Sequence, residues 1–178
     1  MYSVGWRAIR LILDSKRDEN MDKPTLDRTD YRIIREIQTN GRISMVELSK
    51  RVNLTKTPCA ERVKRLESTG VIHGYFAKLD PVVVEAGHIV MVQVQLSGTT
   101  AADLGNFNAA VQRIPEIQSC LMVAGGFDYL LKVRTRDIVA YRELLGTSIS
   151  RLPSVLQTHT YVVMEVVKDD VTLHVPGE

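Results

Sequence analysis

The chain has 178 residues, of which 44% are hydrophobic and 25% charged, a composition that excludes intrinsic disorder and suits one large or two small globular domains. Its formal net charge is only +2, yet residues 21–80 carry 12 Lys/Arg against 8 Asp/Glu and residues 81–178 carry 7 against 10, the asymmetry expected when one half meets a polyanion. Two cysteines, Cys59 and Cys120, stand in no CxxC or Cys/His spacing, which excludes a disulfide framework and gives no metal site, and no apolar run approaches the ~18 residues of a membrane span.

Residues 1–25 precede the first regular pattern and are expected as an N-terminal extension. Val4, Trp6, Ile9 and Leu13 sit at loosely helical spacing, but Arg7 and Arg10 interrupt any signal-peptide core. The segment reads as an arm that packs on a partner, as a weak surface helix, or as translated sequence upstream of a start at Met21.

Residues 26–80 read as a winged helix-turn-helix. Leu26, Ile33, Ile34 and Ile37 follow a 3.6-residue period, with Asp27 as N-cap, Asp30 three residues on, and Asn40-Gly41 as the stop. Ser44 with Glu47 forms a capping-box pattern for a short second helix whose stripe is Val46, Leu48 and Val52. A brief turn through Asn53-Leu54 leads to a third helix starting at Thr55 or Thr57, and the lengths are those of a helix-turn-helix.

The third helix opens "TKTPCAERVKRLESTG". Pro58 is tolerated in a first turn, where the N–H it lacks has no intrahelical partner. At 100° per residue Cys59, Val63 and Leu66 form the packing stripe, while Thr57, Ala60, Glu61, Lys64 and Ser68 lie opposite, flanked by Arg62 and Arg65. Such a helix suits the major groove: Lys56, Thr57, Ala60, Glu61 and Lys64 would meet base edges, and Arg62 and Arg65 phosphates. The competing reading is a solvated basic helix. After Gly70, Val71, Ile72, Tyr75 and Ala77 suggest two short strands around His73-Gly74, a wing that offers Lys78 to backbone phosphate.

Asp80-Pro81 marks a boundary, residues 81–87 a linker, and 88–168 a second domain followed by a tail, 169–178. Its segments run strand, helix, strand, strand, helix, strand: a ferredoxin-like βαββαβ order in an α+β protein. The first helix shows Leu104, Phe107, Val111 and Ile114 on one face, and the second Ile138, Tyr141, Leu145 and Leu152. Ile89 to Val92 and Tyr161 to Met164 are apolar on both strand faces, so the sheet face away from the helices wants cover, most simply from a second copy. In the turn "AGGFDY", Gly125 and Gly126 permit positive φ, and Asp128 either holds a ligand's ammonium group or serves only as a turn residue.

The stretches "LDRTDYRIIREIQTNGRIS", "ELSKRVNL", "TPCAERVKRLE", "GVIHGY", "GGFDYLLKVR", "AYRELLG" and "TYVVMEVVK", in this order from Leu26 to Lys168, resemble the Lrp/AsnC family of feast/famine transcription regulators, nearer its leucine-responsive members than its asparagine-synthetase regulator. The resemblance implies a bacterial, cytoplasmic regulator without cofactor or catalysis, binding double-stranded DNA through about Ser44 to Leu66, with dimers that assemble into rings, commonly octamers. It implies an effector, leucine or another small amino acid, held between dimers at Leu121, Gly125, Asp128, Tyr161 and Val162. Members near this sequence carry an acid where this chain has Gly126, which bears on effector response. Two other functions stand beside this one. An architectural DNA-binding protein would need no effector, and a tetrapyrrole decarboxylase-like enzyme would need histidines around a pocket, whereas His73, His88, His159 and His174 lack metal-ligand spacing.

Overall fold

The computed structural model describes residues 24–176, so the readings of residues 1–20 and of a start at Met21 lie outside it. The described residues divide into two compact units: one takes in 24–78 and 169–176, the other is Leu79–Lys168.

The first unit is built on α1 (Arg28–Thr39), α2 (Met45–Arg51) and α3 (Lys56–Ser68). Asp27 and Asp30 form a full capping box at the start of α1, which satisfies N–H groups that have no intrahelical partner. At α2 the box is half formed: Ser44 accepts from the Glu47 amide, while the Glu47 carboxylate bonds Arg51. Val46 is half exposed and off the core, which is closed by Ile33, Leu48, Val52, Cys59, Val63 and Leu66.

Two sharp helix ends give the unit its shape. After α2, Asn53 adopts a left-handed φ of 56°, with Asn53 N bonding Lys50 O and Leu54 N bonding Ser49 O. After α3, Gly70 takes φ 68°, with Gly70 N on Glu67 O and Val71 N on Leu66 O. Both are Schellman endings, which reclaim terminal carbonyls and bring an apolar residue back onto the helix. The two short strands expected around His73-Gly74 are not formed: Val71 and Ile72 pack on the helical core, and residues 71–78 contain no strand.

Tyr75 is held back on α3 by its hydroxyl, which donates to Glu67 Oε1 at 2.9 Å. Partial desolvation, and then the bond to Glu67 and its charge, push the phenol up to about 12. The raised value favours the protonated phenol in the folded state, so this contribution is complete below the ordinary value near ~10 and is lost as pH rises through about 12. Ultraviolet titration of the protein against Tyr75→Phe is expected to show the missing phenolate step near pH 12. A missing step near ~10 would mean that the segment is not held on Glu67.

Residues 169–176 group with this unit. Gln38 reads the Leu173 backbone twice, with Nε2 donating to its carbonyl at 2.7 Å and Oε1 accepting from its amide at 3.0 Å.

The second unit is one antiparallel sheet in the order β2-β3-β1-β4, with β1 His88–Leu96, β2 Ile117–Met122, β3 Tyr129–Thr135 and β4 Val155–Val162. Helices α4 (Ala101–Val111) and α5 (Ile138–Thr147) complete the ferredoxin-like arrangement, with a 3₁₀ turn at Ile149–Arg151. Val90, Val92 and Val94 of β1 and Tyr129, Leu131 and Val133 of β3 meet Leu104, Phe107, Val111, Tyr141 and Ile149 in a single core. Ile138 is half exposed, so α5 is seated by Tyr141 and by Leu144 and Leu145. Residues 81–87 are no free linker: Ala86 N bonds Pro81 O, and Ala86 O accepts from Arg134 Nη1.

The outer face of the sheet is mixed rather than uniformly apolar. The strand register puts Met91, Gln93 and Gln95 outward from β1, opposite Tyr161, His159 and Gln157 of β4. β4 ends at Val162, and Met164 beyond it is 94% exposed.

Candidate functional site

The third helix presents its predicted face. Lys56, Thr57, Glu61, Lys64 and Ser68 are exposed and Ala60 is half-buried, while Cys59, Val63 and Leu66 are buried. Burial alone pushes the Cys59 thiol up, so it stays protonated and packs as a small apolar side chain. Lys56 and Lys64 make no ion pair among the described residues. At the start of α3 the N-cap Thr55 makes no side-chain cap bond, and Pro58 has no N–H to satisfy. The first-turn amides of Lys56 and Thr57 make no hydrogen bond among the described residues, and such a helix end is the positive one, suited to a phosphate oxygen. Ser44 is exposed but already caps α2.

The two arginines depart from expectation. Arg62 Nη1 bonds Asp27 Oδ2 at 2.6 Å and Asp30 Oδ1 at 2.8 Å, and Arg65 Nη2 bonds Asp30 Oδ2 at 2.5 Å. Both guanidinium groups bond the start of α1, with 31% and 46% of the two side chains still exposed. The physical reason lies in Asp30, which is 0% exposed, because a buried carboxylate is tolerable only when paired and hydrogen-bonded. Burial raises the Asp30 pKa, but the Asp27 amide and both guanidinium groups outweigh it, and the net shift is downward. Asp27 is lowered first by the Asp30 amide and then by Arg62. α1 holds α2 as well: Arg32 Nη2 caps Arg51 O at 2.7 Å, and Glu36 pairs with Arg51 at 3.0 Å. Sequence reading finds Asp27 and Asp30 as a cap and misses their second role, because the pairing spans 35 residues.

In the second unit, the β2–β3 connection runs from Val123 to Asp128. Asp128 ties it to β1, with its N–H donating to Val94 O at 3.0 Å and its Oδ2 accepting from Leu96 N at 2.7 Å. One carboxylate oxygen is thus spent on the fold, as the turn-residue reading holds, and Oδ1 takes no hydrogen bond among the described residues. Neither Gly125 nor Gly126 uses the positive φ it permits, and a Cβ at either would meet nothing within 4 Å. The loop is long enough to turn without a left-handed residue.

The five candidate effector residues do not converge within one chain. Leu121 is on β2 and Tyr161 and Val162 on β4, the two opposite edges of the sheet, which at ~4.8 Å per strand are about 14 Å apart. Leu121 and Tyr161 are half exposed on the outer face, and the Tyr161 hydroxyl donates to Gln93 Oε1 at 3.3 Å. Val162, opposite Val90, faces the helix side. A cavity of ≈ 460 Å³ lies instead at the far end of β3, lined by Glu85, Glu116, Arg134, Arg136 and Glu143 among others, and it includes none of the five. Among the described residues no group of His, Cys, Asp or Glu could hold a metal, and no helix is long and apolar enough to cross a membrane.

A helix-turn-helix with an exposed polar helix, joined to a ferredoxin-like sheet with a partly apolar outer face, defines a DNA-binding protein with an accessory binding domain. Comparison with known proteins agrees: residues 26–73 match the winged helix-turn-helix DNA-binding model and residues 89–173 the Lrp/AsnC ligand binding domain. The chain is 52% identical over 157 residues to the leucine-responsive regulatory protein of Salmonella typhimurium, covering 88% of this chain and 94% of that one, and the same figures hold for that of Escherichia coli. Among solved structures, a transcriptional regulator of Neisseria meningitidis in complex with L-methionine matches at 33% identity and TM-score 0.79, over 84% of this chain and 97% of that one. A feast or famine regulatory protein of M. tuberculosis complexed with L-methionine matches at 31% and 0.78, over 85% and 100%. The chain belongs to the Lrp/AsnC family and is a DNA-binding transcriptional regulator of that type.

Proposed function

We propose that this chain is a sequence-specific regulator whose DNA binding answers to a small amino acid, leucine or methionine among the first to test. The observation that carries the DNA half is the face of α3 on which Lys56, Thr57, Glu61 and Lys64 are exposed beside the half-buried Ala60. Base edges would be read by that face and phosphates held by the helix end and the lysines. The effector half rests on kinship with methionine-bound relatives and on the dispersal of Leu121, Asp128 and Tyr161. Those residues could surround one ligand only if a second copy brings its own set alongside. The partly apolar outer sheet face supports a dimer, and ring assembly to an octamer extends it.

Binding to the DNA upstream of its own gene, at two salt concentrations with and without leucine and methionine, tests the reading. Salt-sensitive binding that shifts with either amino acid is expected, because an effector acts only through different affinity for two states. Binding with no shift for any of the common amino acids would leave an architectural DNA-binding protein, the reading that Gly126 favours. Since a Cβ at 126 meets open space, Gly126→Asp is expected to change stability by no more than ~0.5 kcal/mol. It should strengthen any amino-acid response, as calorimetry would show. A folded variant without added response would detach Gly126 from effector binding.

A further inference from the structure

We infer that Asp30 is a positioning residue for DNA recognition: it fixes the rotation of α3 by holding Arg62 and Arg65, and so sets which side chains face the groove. The inference rests on the reading of α3 as the DNA-facing helix.

The apolar stripe of α3, Cys59, Val63 and Leu66, turns one side of the helix to the core but sets its rotation only to within the width of the stripe, since hydrophobic contact is non-directional. Direction comes from the charged cluster beside it. Two acids one turn apart at the start of α1 meet two arginines one turn apart on α3, through three guanidinium–carboxylate bonds of 2.5 to 2.8 Å. Charge-assisted bonds of this kind are short and strongly angular. Asp30 is the centre of the group: it receives both arginines and the Asp27 amide, and it is fully buried. The capping box fixes Asp30 on α1, so the frame reaches α3 through a chain of directional bonds. Thr57, Ala60, Glu61 and Lys64 lie on the opposite side of α3, and a rotation of the helix by a fraction of a turn would replace them at the groove with their neighbours.

The cluster also keeps two cations from acting on their own. Arg62 and Arg65 side chains are 31% and 46% exposed, so once released they would reach solvent. Free guanidinium groups on a DNA-facing helix bind any sequence through phosphate, with a salt slope of about 0.9 per contact. Holding them on Asp30 removes non-specific attraction from a surface meant to read bases.

The experiment uses the full chain, a duplex that the wild-type protein selects from a random-sequence pool, and a scrambled duplex of equal length. Asp30→Asn keeps shape but not charge, with folding followed by circular dichroism. It is expected to weaken binding to the selected duplex about tenfold, in the range of one misread base pair, while binding to the scrambled duplex holds or tightens with a steeper salt slope. Arg62→Gln is expected to lose preference for the selected duplex at an unchanged salt slope, and it carries the test alone if Asp30→Asn does not fold. Equal loss on both duplexes by a folded Asp30→Asn would reduce Asp30 to a merely structural role and overturn the proposal. So would a salt slope lowered by ~0.9 in Arg62→Gln, the mark of a lost phosphate contact. Failure of the wild-type protein to select any duplex would overturn the DNA reading itself.

Discussion

Phe107→Ala is expected to lower the stability of the second unit by about 3–5 kcal/mol, the usual cost of removing a fully buried aromatic ring. Phe107 is 0% exposed, and its ring lies 4.4 Å from that of Tyr129 at 33°, so the substitution loses both burial and a ring contact. It sits in the middle of the α4 stripe, between Leu104 and Val111, where a cavity cannot be filled without moving the helix. A domain is commonly stable by only ~5–15 kcal/mol, so a loss of this size brings the unit near its threshold. Tyr129 directly follows Asp128, and the loosened ring would release the Val123–Asp128 connection as well. Amide hydrogen exchange reports each unit separately, which a single melting curve cannot do for two units. Loss of protection in β1, β3 and α4 with α1–α3 unchanged is the expected result. A change under ~1 kcal/mol would mean that α4 is not seated on this sheet through Phe107.

What the sequence reveals and conceals follows from the range of the interactions. The α1 cap, the stop at Asn40-Gly41, the α3 stripe and the succession of strands and helices along the second unit all rest on periodicity or on partners three or four residues away. Each leaves a local mark in the sequence. Two strands were expected where none stands because Val71 and Ile72 satisfy two descriptions, a β-strand and the apolar return of a Schellman ending, and Gly70 decides between them only through its φ of 68°. Ile138 failed because α5 is seated by a different arc of its circumference. The candidate DNA face was legible as a helical wheel, but the direction of Arg62 and Arg65 was not, since both partners lie on another helix. The candidate effector residues are the hardest case: Leu121 and Tyr161 stand on opposite edge strands of the sheet and Asp128 at the end of a loop, and nothing local in the sequence marks them as parts of one site.

The asymmetry of the arginine cluster leads to the second large effect. Removing Asp30 leaves two arginines that already touch water, whereas removing both arginines leaves a carboxylate with 0% exposure and no cation. Arg62→Ala with Arg65→Ala is therefore expected to be the more damaging change, costing the first unit about 3–5 kcal/mol at pH 7, the range for a buried pair broken on one side. The pH dependence should reverse as well. In the wild-type protein the Asp27 and Asp30 pKa values lie below 3.8, so their contribution is present above that value and is lost as pH falls through the lowered ones. In the double variant, burial, the largest influence on Asp30, is opposed by the Asp27 amide without the arginines, and the Asp30 pKa rises above its unfolded value. Stability is then gained, not lost, as pH falls toward that of the unfolded carboxylate, because the protonated acid is the form that burial accepts. Hydrogen exchange of α1–α3 amides at pH 7 and near pH ~5 would show the variant recovering on acidification while the wild-type protein stays level. A variant as stable as the wild-type protein at pH 7 would mean that Asp30 reaches water unaided, and that the contact between α1 and α3 is apolar alone.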